Sequence, residues 1–228
     1  MEAVAMHIAN GIINGPVSAI FMVIAVAGLA VCVWRAKADL DDRLAPMAGL
    51  VAAFIFAVQM LNFGVLPGVS GHLLGGTLAV ILVGPWVGAL CVSTVLIVQA
   101  LVFGDGGLTA LGLNITNMAL IGAAAAYVLV ALLLRVLPKN ASGLGATAFI
   151  ASVIGVVLAS QGFVLEYALG GTTDLSLAGV AATLGGVHVL IGVGEGLIAA
   201  TTVVTVAKVR PDLVYALRAF RKPLEVAA

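Results

Sequence analysis

The chain reads as an all-α, polytopic membrane protein of about seven transmembrane helices, with its N-terminus outside and its C-terminus in the cytoplasm. Three observations predict this. Of 228 residues, 63% are hydrophobic and 9% charged, with a mean hydropathy of +1.25. A soluble domain carries about 25% charged residues, so most of this surface must face lipid. The apolar residues fall in runs suited to helices crossing a hydrocarbon core of about 30 Å. Finally, all ten Lys and Arg cluster in three places: Arg35, Lys37 and Arg43; Arg135 and Lys139; Lys208, Arg210, Arg218, Arg221 and Lys222.

The apolar runs follow in order. They are Pro16 to Trp34, Pro46 to Phe63, a half-length segment from His72 to Val83, and a fourth that resumes after Gly84-Pro85-Trp86 and ends at Phe103. Three more run from about Leu111 to Leu137, Leu144 to Leu169 and Thr183 to Lys208. With seven spans the three basic clusters share one side, which the positive-inside rule makes the cytoplasm. Fusing the third and fourth segments would split them between sides. No Lys or Arg precedes the first run, so it reads as a span and not as a cleaved signal peptide. The expected organisation is one transmembrane domain over 1–210, with residues 1–5 a leader, and a basic cytoplasmic tail over 211–228. Cys32 and Cys91 lie in apolar runs and read as small buried hydrophobes. The third segment is too short to face lipid, so it must be shielded by protein or line a cavity.

Ionisable groups inside spans cost about 2.5–3.5 kcal/mol at a helix centre and tend to mark function. His7 precedes the first span, and His72 opens the short one. His188 sits near the outer end of the last span, with Glu195 two turns deeper on the same face. Glu166, near the outer end of the sixth, reads as interfacial and solvated. A histidine near a membrane interface commonly snorkels or makes a structural hydrogen bond, and a buried His–Glu pair is commonly structural too. His7 and His72 stand apart because the topology puts both on the outer face, beside the broken span. If the mature chain begins at Met6, its α-amine, the His7 amide nitrogen and His7 Nδ1 can chelate one cation through a five- and a six-membered ring. A nitrogen of His72 completes a planar four-nitrogen site, which suits Ni(II), Cu(II) and similar ions and excludes the oxygen-seeking Mg and Ca. With residues 1–5 attached, the Met6 nitrogen is a peptide amide and the strong end of the chelate is lost.

Four separated stretches carry a family resemblance: MHIANG at Met6, LNFGVLPGVSGHLLGG from Leu61, QALVFGDGGLTALGLNITNM from Gln99 and HVLIGVGEG from His188. In that order the chain resembles the CbiM/NikM family, the substrate-binding S components of energy-coupling-factor transporters for cobalt and nickel. The family start is Met-His-Ile followed by a small or proline residue and Asp-Gly; here Asn10 replaces the Asp. The resemblance implies a helix added before a six-helix core. It also implies metal ligands at Met6, His7 and His72, with Asn10, Asn62, Ser70, His188 and Glu195 as supporting residues around them. The departure is the leader MEAVA: a translation start at Met6 is the simplest explanation, the alternatives being removal of the leader by processing, or a member that binds metal differently or not at all.

No G-x-x-x-x-G-K-[ST] phosphate loop occurs in the chain, so it is not expected to hydrolyse ATP itself; the resemblance implies a transport subunit rather than an enzyme, with no permanent cofactor, only a transported Co2+ or Ni2+. The resemblance implies partners: a transmembrane coupling subunit, cytoplasmic ABC ATPases and a small accessory membrane subunit, in a cell membrane and without nucleic acid. Two other readings compete. In one, the protein is a self-sufficient secondary cation transporter or channel using His188 and Glu195; in the other, it is a membrane scaffold or sensor whose histidines bind nothing. Cobalt and nickel accept the same four nitrogens, so the ligand set does not separate them.

Overall fold

The computed structural model describes residues 7–39, 44–60, 63–66, 69–138 and 140–219. Among them, five helical stretches are long and apolar enough to cross a membrane: Gly15–Ala38, Pro85–Phe103, Leu111–Val136, Ala141–Gly170 and Leu177–Val209. In chain order the elements are α1 (Gly15–Asp39), α2 (Leu44–Gln59), β1 (Phe63–Leu66), β2 (Val69–Gly71), α3 (Gly76–Val83) and α4 (Pro85–Val98), which continues as a π-helical turn over Gln99–Phe103. Next come α5 (Leu111–Asn114) and α6 (Gly122–Val136), joined by a π-helical stretch over Ile115–Ile121. Then follow α7 (Ala141–Gly170), α8 (Leu177–Val209) and a short α9 (Tyr215–Ala219). The protein is thus helical as expected, with one small antiparallel hairpin, β1–β2, in the loop before α3.

The half-length segment is real, and it is enclosed. All eight residues of α3 are buried, and α2, α4, α6, α7 and α8 pack around it. At about 1.5 Å per residue it rises only about 12 Å, and its shielding by protein meets the requirement that no backbone end face lipid. Its boundary differs from the sequence reading: the helix begins at Gly76, and His72 lies in the loop before it. The second run also ends early, at Gln59, because Gly64 and Val69–Gly71 pair in a hairpin that takes Phe63 out of the helix. α8 starts before the expected Thr183. The Ser176 hydroxyl accepts a hydrogen bond from the Gly179 N–H at 3.2 Å and caps the helix there.

Helices α7 and α8 form the most extensive contact in the molecule. Gly192 and Gly196 allow it: a Cβ on Gly192 would lie 2.8 Å from Val153 Cα, and one on Gly196 would lie 2.7 Å from a Phe149 ring carbon. This is small-xxx-small packing, which lets two membrane helices approach closely. It also turns Glu195, between the two glycines, toward the loop before α3.

The helix ends sort into two groups. At one end, Arg35 at the close of α1 lies over Trp86 at the start of α4, 5.8 Å from the ring centroid. Tyr215 of α9 packs against Gly84 between α3 and α4. At the other end, Ile13 bridges to Gly171 after α7, and His7 meets both His72 and Asp105.

Candidate metal-capture site

The segment from His7 to Asn14 is irregular, and its backbone polar groups need partners that a helix would otherwise supply. It finds them residue by residue. Asn114 of α5 pairs with Ile8 as a backbone would, its Oδ1 accepting from Ile8 N–H at 2.9 Å and its Nδ2 donating to Ile8 C=O at 3.3 Å. Ile8 C=O also accepts from Gly107 N–H at 3.0 Å. Asn10 Oδ1 accepts from both the N–H and the hydroxyl of Thr109, at 3.0 and 2.7 Å. Thr172 donates to the carbonyls of Gly11 and Ile12, and Asn14 N–H donates to Gly170 C=O at 2.7 Å. Asn14 then caps α1 through Val17 N–H. Asn10 therefore ties the segment to Thr109, and the role needs an acceptor oxygen, not a negative charge.

This lacing puts His7 inside the protein, 3% exposed, against His72, 2% exposed. Their ring centroids are 4.7 Å apart with the planes tilted by 41°. His72 Nδ1 lies 2.8 Å from the Leu73 carbonyl, so Nδ1 carries the proton and Nε2 presents a lone pair. Among the described residues that Nε2 is buried without a hydrogen-bond partner, and so is Nε2 of His7. A main-chain bond that fixes the tautomer and frees the other nitrogen is how metal-ligating histidines are prepared. The rings line a cavity of about 190 Å³ that also touches Asn114, Asn117, Ser160 and His188.

The loop bearing His72 is held from two sides at one residue. Glu195 Oε2 accepts from Leu74 N–H at 2.7 Å and Gly75 N–H at 3.1 Å, and Gln59 Nε2 donates to Leu74 C=O at 2.8 Å. The carboxyl thus sits at the N-terminal end of α3, where the helix dipole favours negative charge. Glu195 positions the His72 loop, and it does so from the last long helix. Replacing it with alanine is expected to orphan two N–H groups at about 1–3 kcal/mol each. Metal affinity should fall by roughly 10–100-fold, as when a supporting contact behind a ligand is lost. Glu195→Gln, which keeps one acceptor oxygen, is expected to recover most of that loss in a chelator-competition titration.

His188 lies on the cavity wall with its Nδ1 2.8 Å from Leu184 C=O, one turn back on its own helix. Met6 and Asn62 lie outside the described residues, and Ser70 is described only as backbone, in β2. Glu166 differs from the sequence reading. It is fully buried rather than solvated, accepting from Asn117 Nδ2 at 2.7 Å; Asn117 belongs to the π-helical stretch and faces the cavity. Four further residues escaped the sequence reading. Asp105 and Asn114 stand inside the quoted QALVFGDGGLTALGLNITNM stretch, and Asn117 within the same run. Gln59 is the one polar side chain of α2, LAPMAGLVAAFIFAVQ.

Asp105 reaches the site from the loop after α4. Its Oδ1 is 3.0 Å from His7 Nδ1. The two atoms are within ion-pair distance, and the carboxylate is partly open to solvent. His7 alongside nonetheless holds the Asp105 carboxyl below its ordinary value, against the opposing effect of partial burial. Gly106, next in the chain, sits with its backbone at φ +86°, where a Cβ would come within 2.8 Å of the His7 Cβ. Glycine is needed there on both counts.

Comparison with known proteins identifies the family. The family profile described as "Cobalt uptake substrate-specific transmembrane region" matches residues 7–213. A protein of Archaeoglobus fulgidus, provisionally named as the fused nickel transport protein NikMN, is 38% identical over 92% of this chain and 68% of its own length. The cobalt transport protein CbiM of Sorangium cellulosum is 29% identical over 95% of this chain and 97% of its own. A crystal structure of a transition metal transporter superposes with a TM-score of 0.80 at 27% identity, covering 90% of this chain and 93% of that one. The chain therefore belongs to the CbiM family of cobalt-uptake substrate-specific transmembrane proteins, a family of multi-pass membrane transport proteins for cobalt and nickel.

Proposed function

We propose that this chain is the substrate-capture subunit of an ATP-driven cobalt or nickel importer. In this reading it binds one divalent cation at the outer membrane face through the Met6 amine, the His7 amide nitrogen, His7 Nδ1 and His72 Nε2. The observation that carries the reading is the meeting of His7 and His72. Two residues far apart in sequence are buried ring to ring at 4.7 Å, and among the described residues the Nε2 atoms of both rings have no hydrogen-bond partner. Buried polar atoms normally have partners, and a transition metal is a partner that two imidazoles would select. The cation is the cargo, not a resident cofactor.

The topology that goes with this reading has seven segments, the five long helices plus α2 and α3, with the N-terminus outside and the C-terminus in the cytoplasm. Its support is the sorting of helix ends. Arg35, Trp86 and Tyr215 gather at one end, and His7, His72 and Asp105 at the other. The domain would span 1–210, followed by a cytoplasmic tail. Working chains would start at Met6, which frees its α-amine for the cation. A coupling membrane subunit, ABC ATPases and a small accessory membrane subunit would supply the energy and the release step. Glu195 is occupied by Leu74 and Gly75, which favours a positioning role over conduction in a self-sufficient transporter.

Reconstitution tests it. Vesicles holding this chain alone are expected to bind Ni(II) or Co(II) without accumulating it, and accumulation should need the coupling subunit, the ATPases and ATP. Uptake driven by an ion gradient in the absence of any ATPase would overturn the proposal in favour of secondary transport.

A further inference from the structure

We infer that Gln59 and Glu195 share one buried water, and that this water closes a clamp by which α2 and α8 together grip the loop before α3. The site is separate from the cavity between His7 and His72. Its ligand is a small neutral donor of two hydrogen bonds, and nothing about it depends on what His72 binds.

The two arms of the clamp meet at one residue. Gln59, at the end of α2, donates from Nε2 to the Leu74 carbonyl, and Glu195 of α8 accepts the Leu74 N–H at Oε2. Each side chain thus has one oxygen left over. Among the described residues, Gln59 Oε1 and Glu195 Oε1 are both buried without a hydrogen-bond partner, in residues only 1% and 3% exposed. Both side chains line the same small cavity, together with Ile55 and Val58 of α2, Leu78 of α3 and Ala199 of α8. Gly75 lets the loop lie this close to α2: its backbone is at φ +81°, and a Cβ there would come within 2.9 Å of the Ile55 side chain.

The two leftover atoms are of one kind. An amide oxygen only accepts, and so does a carboxylate oxygen, so neither can satisfy the other. Leaving a buried acceptor without a donor is costly, and two acceptors on one cavity call for a donor with two hydrogens. Size and lining choose among such donors. The cavity measures about 10 Å³, near the lower bound for a single water, and two acceptors lie within the two to four partners a buried water takes. The remaining side chains of the wall are apolar, so they offer no acceptor to the further hydrogens of an ammonium ion. With the water in place, Leu74, Gln59 and Glu195 form a closed ring of hydrogen bonds. Beyond it α2 and α8 flank an apolar groove of about 570 Å³ with Leu78 and Leu82 of α3 in its lining. A shift of either helix is therefore passed to Leu74, two residues from His72.

The test is a crystal structure of the full chain grown in a lipidic mesophase, at a resolution that shows ordered water. Wild type is expected to show a single peak within about 2.5–3.0 Å of both Oε1 atoms. A cavity without a peak overturns the inference. So does direct contact of the two oxygens, in which a protonated Glu195 donates to Gln59. Infrared spectra of detergent-purified protein read that alternative without crystals: the difference between wild type and Glu195→Gln should contain no carbonyl band of a neutral carboxylic acid, and such a band overturns the two-acceptor site. Variants of Ala199 test the clamp. Ala199→Val extends a methyl into the cavity and leaves both Leu74 bonds in place; it is expected to speed deuterium exchange at the Leu74 and Gly75 N–H groups about fivefold, the scale of one hydrogen bond. Ala199→Ser, whose hydroxyl can donate in place of the water, should keep exchange near the wild-type rate. Equal speeding in both variants would make the effect one of packing and overturn the clamp, as would unchanged exchange in Ala199→Val.

Discussion

Replacing His72 with alanine is expected to abolish stoichiometric binding of Ni(II) and Co(II) while leaving the protein folded. The loss should exceed the roughly 10–100-fold that removal of a supporting contact behind a ligand costs, since a ligand itself goes. The physical argument begins with the bond from His72 Nδ1 to the Leu73 carbonyl, which leaves Nε2 as the only site on the ring for a metal. Alanine removes that nitrogen and the ring facing His7, but not the contacts that hold the loop, because those are made by the Leu74 and Gly75 backbone with Glu195 and Gln59. Asparagine at 72 is the informative second variant: it keeps a polar atom in the cavity without the basic nitrogen, and it should bind no better than alanine. Isothermal titration of metal-stripped protein reads the result, with helical content and monodispersity in detergent as the folding check. Unchanged affinity in His72→Ala would leave the histidines structural and the site elsewhere.

How much of this was legible in the sequence depends on the range of the interaction. Membrane embedding was legible because hydropathy is additive along the chain, and so was the short third segment, whose apolar run is interrupted by Gly84-Pro85. The pairing of His7 with His72 was also accessible, since the basic loops place both residues on one face and the motifs put them in one family. The hairpin was not. Its strands are too short to show a period of two, and the surrounding apolar residues extend the helix pattern through Phe63.

Glu166 was misread for a related reason. Position near a helix end predicts solvent, but burial is decided by what packs across, and Asn117 on a neighbouring helix supplies the partner. Asn114 and Gln59 escaped notice because each looks like an isolated amide in an apolar run. Only the fold shows that Asn114 substitutes for a missing strand beside Ile8, and that Gln59 anchors the Leu74 carbonyl. Side chains that serve the backbone of distant segments leave no local pattern.

The second large effect concerns the residues before His7. Protein that retains MEAVA is expected to bind Ni(II) at least about a hundredfold more weakly than protein beginning at Met6, beyond the range of a supporting-contact loss. The reason is chemical. With the leader attached, the Met6 nitrogen is a peptide amide, a poor donor until it loses its proton, whereas the free α-amine coordinates on losing an ammonium proton of pKa about 7.7–8.0. The five-membered ring shared with the His7 amide then closes only in the shorter form.

The structure sharpens the expectation, because the segment after His7 cannot slide to compensate: Ile8 and Asn10 are tied to the segment from Gly107 to Asn114, and Gly11, Ile12 and Asn14 to Gly170 and Thr172. Two preparations, one from each start codon and each verified by intact mass, compared by chelator competition, decide the matter. Equal affinity, still dependent on His72, would rule out the amine as a ligand. The cation would then have to be held without the amine, by the His7 and His72 rings that meet at the cavity.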